Sequence, residues 1–232
     1  MSRIEAIIAE LKSKAKPDQL SGMARYGMAI EQRLGVSVPE MRQIAKAAGR
    51  DHQLALELWD TGIAEARIIA AMIDEPDKLT EAQMEHWVKG INSWDVCDQV
   101  CMNLFEKSPL AWQKIIDWSA RDEEFVKRTA YSLLACLAWH DKETKDEKFT
   151  VLFPVLIRGA TDERNFVKKA VNWALRNIGK RNLTLNQAAI NTAREIQKID
   201  SRAARWIASD AIRELESGPI QAKLKGKANK DE

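Results

Sequence analysis

Residues 162–179, DERNFVKKAVNWALRNIG, carry the clearest helical signal in this chain of 232 residues. At about 100° per residue, Val167, Val171, Ala174, Leu175 and Ile178 fall on one side of a helix. Asp162 precedes the pattern and Gly179 closes it. Trp173 lies about 130° from the centre of that stripe, beside Phe166, Lys169, Arg176 and Lys180. Core packing alone does not call for a tryptophan among cations on that side. Residues 201–216 repeat the arrangement, with Ala204, Ile207, Ala208, Ala211 and Leu215 inward and Arg202, Arg205, Trp206, Ser209 and Arg213 opposite. Over 123–140 the inward side is Val126, Ala130, Leu133, Leu134 and Leu137. Arg128, Ser132, Ala135 and Trp139 run off it, a cation followed by small residues, as in the wall of a groove.

The same grammar extends along the chain. Ser37-Val38-Pro39-Glu40 and Thr80-Glu81-Ala82-Gln83 read as capping boxes, and glycines at 62, 90, 159, 179 and 218 read as stops. Helices are expected near 3–15, 19–32, 38–49, 51–60, 63–73, 81–90, 94–107, 109–119, 123–140, 146–158, 163–179, 185–199 and 201–216, with Pro154 kinking its helix. No stretch reads as a strand. The second helix of each pair begins near 63, 93–94, 123, 163 and 201, a spacing of about 30–40 residues, that of stacked helical hairpins of the HEAT kind. The expectation is an all-α solenoid forming a single curved domain over 1–217. In a solenoid the second helices line the concave, binding surface. Residues 218–232, with Lys223, Lys225, Lys227 and Lys230, read as a basic, disordered tail.

Composition excludes several classes. A hydrophobic fraction of 45% with 30% charged residues is that of a globular protein. Three cysteines are too few for a disulfide framework, ten glycines and six prolines too few for an all-β chain. No apolar run approaches a membrane span and the N-terminus lacks a signal-peptide core, which points to the cytoplasm. Net charge is +2, but unevenly spread: residues 1–50 hold 9 basic and 5 acidic groups, 51–150 hold 11 and 20, and 151–232 hold 16 and 9. The basic C-terminal third suits an anion-binding face. Cations mixed with indoles are the chemistry of nucleic-acid surfaces, where Arg and Lys neutralise phosphates and aromatic faces pack on sugars or bases. The alternative is that Trp173 and Trp206 pack between repeats and the cations are solvated.

Residues 94–107 differ. Trp94 and Asp98 are four apart and share a face with Cys97, Cys101 and Phe105. A carboxylate at the edge of an apolar stripe needs a cation or a task, and Arg128 of the next repeat is a candidate partner. Asp95 is expected to support the helix N-terminus through the dipole. Cys97 and Cys101 lack a neighbouring histidine and do not read as a zinc site. His52, His86 and His140 form no metal pattern, and no phosphate-binding loop, dinucleotide, hydrolase or kinase signature occurs.

Together these residues resemble the HEAT-like-repeat alkylpurine DNA glycosylases, the AlkD-like DNA alkylation repair family, over roughly residues 3–217. The matching segments are Tyr26, GVSVPEMR at 35–42, SWDVCD at 93–98, KRTA at 127–130 and KKAVNWALR at 168–176. The resemblance places the family's catalytic Asp on Asp98, its active-site tryptophans on Trp94 and Trp173 and its catalytic-site Arg on Arg128, with Arg176 in the DNA-binding cleft. Tyr26, Lys169, Lys180, Arg202, Arg205, Trp206 and Arg213 complete the expected DNA-binding set. Such enzymes excise N3- and N7-alkylated purines from duplex DNA without metal or cofactor, and without the usual base flipping; for this chain a monomer is expected, since solenoid ends cap themselves. Two departures stand out: GMAIEQRL at 27–34 replaces an aromatic, proline-containing stretch, and Phe125 stands where a Trp is expected.

The chemistry suits the residues. Cleaving the bond from sugar to a cationic base leaves an oxocarbenium-like sugar and a neutral leaving group, so no general acid is required. A carboxylate beside the sugar stabilises the developing charge and orients water. The Trp94–Asp98 segment contains no lysine, so simple hydrolysis is expected rather than Schiff-base lyase chemistry. Two other readings stay open at this point: a noncatalytic binder of bent, branched or damaged DNA, and a helical-repeat scaffold for protein interaction.

Overall fold

The computed structural model describes residues 2–231, with side chains as far as residue 226. Its helices are α1 (Arg3–Ser13), α2 (Leu20–Arg25), α3 (Val38–Ala48), α4 (His52–Asp60), α5 (Ala64–Ile73), α6 (Glu81–Gly90), α7 (Trp94–Asn103), α8 (Ala111–Ser119), α9 (Glu124–His140), α10 (Asp146–Thr150), α11 (Phe153–Gly159), α12 (Asn165–Gly179), α13 (Leu183–Gln197), α14 (Arg202–Leu215) and α15 (Gly218–Asp231). Among the described residues there is no strand, and no helix is long and apolar enough to cross a membrane. The chain packs as two compact units, one up to Ala111 and one from Trp112.

In the first unit α5 packs on α3, α4 and α7; in the second, α12 packs on α9, α13 and α14. Within each unit the second helices of successive hairpins thus stack in order, as the spacing of their starts implies. In the second unit a sequence separation of 38 recurs between bonded groups. Arg128 donates to the Phe166 carbonyl at 2.8 Å, Asn172 to Asp210 at 2.7 Å, Ser201 to Glu163 at 2.8 Å, and Arg176 to Glu214. That interval is one helical hairpin, and it ties each repeat to the next.

Local signals set the ends. Ser37 and Glu40 form the expected capping box of α3, and Thr80 and Ser201 cap α6 and α14. Inside the first unit the indoles of Trp59 and Trp87 stack at 4.2 Å and 3°, with the Arg67 guanidinium 5.0 Å from the Trp59 ring. The stack contributes about 0.5–1.5 kcal/mol beyond its buried area.

Four expectations are corrected. The helix expected over 19–32 ends at Arg25, because Gly27 and Gln32 take positive φ and residues 26–37 turn back instead. Pro154 does not kink a helix: α10 stops at Thr150, and Pro154 lies in the first turn of α11, where its missing N–H costs nothing. The flank of α9 carrying Arg128, Ser132 and Ala135 is no groove wall, for all three are buried and only Trp139 stays exposed. Its small residues admit α12, whose Asn177 donates to the Ala135 carbonyl at 3.1 Å. Residues from 218, expected to be disordered, form α15, because Leu224 buries its side chain and Gln221 donates to Asn186 Oδ1 and the Leu215 carbonyl at 2.9 and 2.7 Å.

The turn over 34–36 is held by Glu65. This fully buried carboxylate accepts from the backbone N–H groups of Leu34, Gly35 and Val36 at 3.0, 2.7 and 3.3 Å. Gly35 sits at φ +82°, and a Cβ there would lie 2.6 Å from the Lys16 carbonyl oxygen, so only glycine fits. Asp74 is likewise fully buried, between Gln83 Nε2 at 2.6 Å and His52 Nδ1 at 2.7 Å.

Candidate nucleic-acid interface

In the first unit, Trp94 and Asp98 occupy successive turns of α7, and both are half-buried. The Trp94 Nε1–H donates to the Tyr26 carbonyl at 3.0 Å, which brings the Tyr26 segment beside the start of α7. The Tyr26 side chain is 79% exposed. The two carboxylates of the W-D-x-x-D stretch do different work. Asp95 does not act through the helix dipole alone: Arg33 donates to both its oxygens, at 2.7 and 2.9 Å, and Ser93 donates to it as well. Arg33 is buried, and it also donates to the Ala29 carbonyl at 2.7 Å. The 27–34 segment, the one that departs from the family pattern, is therefore moored to the N-terminus of α7. Asp98 lies one turn further along and is half-buried.

Sequence reasoning missed Arg33 and Glu65. Arg33 gives no local signal, since its partner is 62 residues away. Glu65 does give one. It lies on the same side of α5 as Ile68, Ile69 and Met72, so it is a carboxylate on an apolar stripe, the same clue that singled out Asp98.

In the second unit, Arg128 is buried against α12. Trp173 is half-buried and lines a cavity of about 420 Å³ with Ala138, Trp139, Lys142, Asn177, Lys180, Arg181 and Lys223. Arg176 and Lys180 are both drawn to Glu214, Lys180 at 2.8 Å, and Arg176 also lies 3.5 Å from Asp210. Arg213 pairs with Asp210, and Arg205 with Asp200 at 2.9 Å. Burial pushes the Glu214 carboxyl up, but the Lys180 hydrogen bond and the Arg176 charge outweigh it and hold it below its ordinary value. The α12–α14 face is thus a lattice of alternating charges rather than a row of cations. Lys169 and Arg202 are exposed; the Lys169 side chain forms no hydrogen bond or ion pair among the described residues, while Arg202 places its charge beside Glu163. Trp206 is 40% exposed, with the Lys168 ammonium 5.1 Å from its ring centre. A cation over an indole is worth about 0.5–1 kcal/mol at an exposed site.

Stacked helical hairpins define an α-helical repeat protein. The chain belongs to the DNA alkylation repair enzyme family, whose model matches residues 7–215. A solved structure described as a new family of proteins related to the HEAT-like repeat DNA glycosylases, with affinity for branched DNA structures, superposes with a TM-score of 0.74. The identity is 21%, over 92% of this chain and 96% of that one. The likeness shows the HEAT-like repeat fold. Two further solved structures are less similar, an engineered protein (TM-score 0.42, 15% identity, 94% and 100% covered) and a designed armadillo repeat protein in complex with the peptide (KR)4 (0.37, 15%, 97% and 87%). No curated protein matches the chain.

Proposed function

We propose that the protein is a monofunctional alkylpurine DNA glycosylase. It hydrolyses the N-glycosidic bond of cationic N3- and N7-alkylated purines in duplex DNA and leaves an abasic site. Asp98 stabilises the oxocarbenium-like sugar and orients the attacking water. Trp94 and Trp173 pack against the electron-poor sugar or cationic base, and Arg128 completes the catalytic set. Tyr26, Lys169, Arg176, Lys180, Arg202, Arg205, Trp206 and Arg213 track the DNA backbone. The chemistry needs no metal and no cofactor, since alkylation has already activated the leaving group. The protein works as a monomer in the cytoplasm.

The observation that supports this reading, beside the family itself, is that Trp94 and Asp98 sit half-buried on successive turns of α7, with the Tyr26 segment held beside them by the Trp94 Nε1–H. The test is release of 7-methylguanine or 3-methyladenine from alkylated duplex. Wild type should release at least one of them, and Asp98→Asn should lose at least about 100-fold in rate while keeping DNA affinity within about twofold. Wild-type protein inert on both lesions would overturn the reading.

One observation favours a second reading, a noncatalytic binder of damaged or branched DNA. Arg176, Lys180 and Arg213 already have carboxylate partners, and the solved relative is described by its affinity for branched DNA. On that reading duplex binding is salt-sensitive, no base is released, and Asp98→Asn is silent.

A further inference from the structure

The cavity beside Trp173 has features that phosphate tracking alone does not use. Its lining joins two indoles, Trp139 and Trp173, with Lys142, Lys180, Arg181 and Lys223, and includes no carboxylate. Trp139 is 54% exposed, yet its ring is set in place by stacking on His140 at 4.8 Å and 23°. A large apolar ring held on a surface in one orientation is a platform for a flat ligand. Three of the cations are fixed by their own contacts. Lys142 donates to the Trp139 carbonyl, and Lys180 reaches Glu214 at 2.8 Å. Arg181 binds the carbonyls of Ala138 and Thr144 at 3.1 Å each. Lys223, from α15, is exposed and forms no ion pair among the described residues. The segment that reads as a tail in the sequence therefore brings an uncommitted charge to a pocket with aromatic walls.

We propose that this cavity is a subsite for one unpaired nucleotide of the bound DNA, its base against the Trp139 indole and its phosphate on Lys223 with Lys142 at the rim. The proposal rests on the DNA-binding reading above and adds to it the form of the DNA. About 420 Å³ lies in the range of small-ligand pockets. A base lies flat on the Trp139 ring only where no neighbouring base covers that face, so the occupant comes from a strand end, a flap or a branch point. Indole stacking tolerates any base, and the cations recognise the phosphate without reading sequence.

The test uses the full chain and three probes: a blunt duplex, the same duplex with a three-nucleotide single-stranded overhang, and the dinucleotide pTpT. Affinities come from fluorescence anisotropy at fixed salt, and pTpT contacts from the indole N–H resonances. Wild type should prefer the overhang by about tenfold. Trp139→Ala and Lys223→Glu should each abolish that preference and leave blunt-duplex affinity within about twofold, while Trp139→Phe should keep most of it. The dinucleotide should shift the Trp139 indole resonance. Equal wild-type affinity for overhang and blunt duplex, or equal weakening of both by Trp139→Ala, would overturn the subsite while leaving duplex repair standing. Binding of pTpT at Trp139 without duplex binding would uphold the subsite and overturn the repair reading, and no binding of any probe would overturn both.

Discussion

Around α5 the charges that matter to the fold are sealed. Glu65 and Asp74 have no exposed surface, and Arg33 with Asp95 forms a nearly enclosed fork. Between α12 and α14 the charges are just as numerous but half-exposed, and each acid serves more than one cation. The two arrangements have different energetics. A buried carboxylate that satisfies backbone donors fixes the path of a loop, and its removal strands those donors. A half-exposed lattice contributes little to stability, is screened by salt, and exchanges partners readily. The first unit uses charge to set geometry. The second holds charge in a half-exposed lattice whose partners can exchange.

The contrast breaks most visibly at Glu65. Glu65→Ala should cost about 3–5 kcal/mol in urea unfolding, because three buried backbone N–H groups lose their acceptor at once. Asp95→Ala should cost about 3 kcal/mol by leaving Arg33 buried and unpaired. Asp98→Asn, three residues on, should change stability by less than about 1 kcal/mol; a larger loss would make Asp98 a structural residue and remove it from the catalytic argument. Gly35→Ala should cost about 2 kcal/mol through the positive φ and the Lys16 carbonyl, readable as a lowered thermal midpoint.

Glu214→Gln should be the mildest for the fold, below about 1 kcal/mol, yet the most telling for function. Releasing Arg176 and Lys180 should tighten duplex binding and steepen the dependence of log K on log salt by about 1–2. The same variant gives a pH signature. The folded protein holds Glu214 below its ordinary pKa. Its contribution is therefore complete above the unfolded value and is lost as pH falls through the folded one. Wild type should lose more stability than Glu214→Gln on acidification below about pH 5. Equal losses would show that the lattice does not hold together as described.

What the sequence made legible was local or periodic. The Ser37–Glu40 box, the Ser201 cap and the inward sides of α9, α12 and α14 follow from spacings of three and four residues, and the repeat from the recurrence of such units. The turn over 26–37 was not legible, because its shape is dictated from Glu65 and Asp95, far along the chain. The charge lattice lay within reach. Asp210 and Glu214 stand one 38-residue repeat beyond Asn172 and Arg176, so a search for opposite charges at the repeat interval finds them. Reading each helix alone gathers the cations around Trp173 and overlooks the acids of the next repeat. Trp139 was visible as an off-core residue, but its place in a cavity with Trp173 and Lys223 depends on α15, whose polar sequence gives no helical stripe.

The Glu65 turn has one more consequence. Successive N–H groups converging on a single point make a concave anion receptor, the kind that many proteins offer to phosphate. Here the chain has filled that receptor from within, with a carboxylate that has no route to solvent. The receptor is thus closed to any outside anion, and the path of the chain over 34–36 is set by an internal ligand.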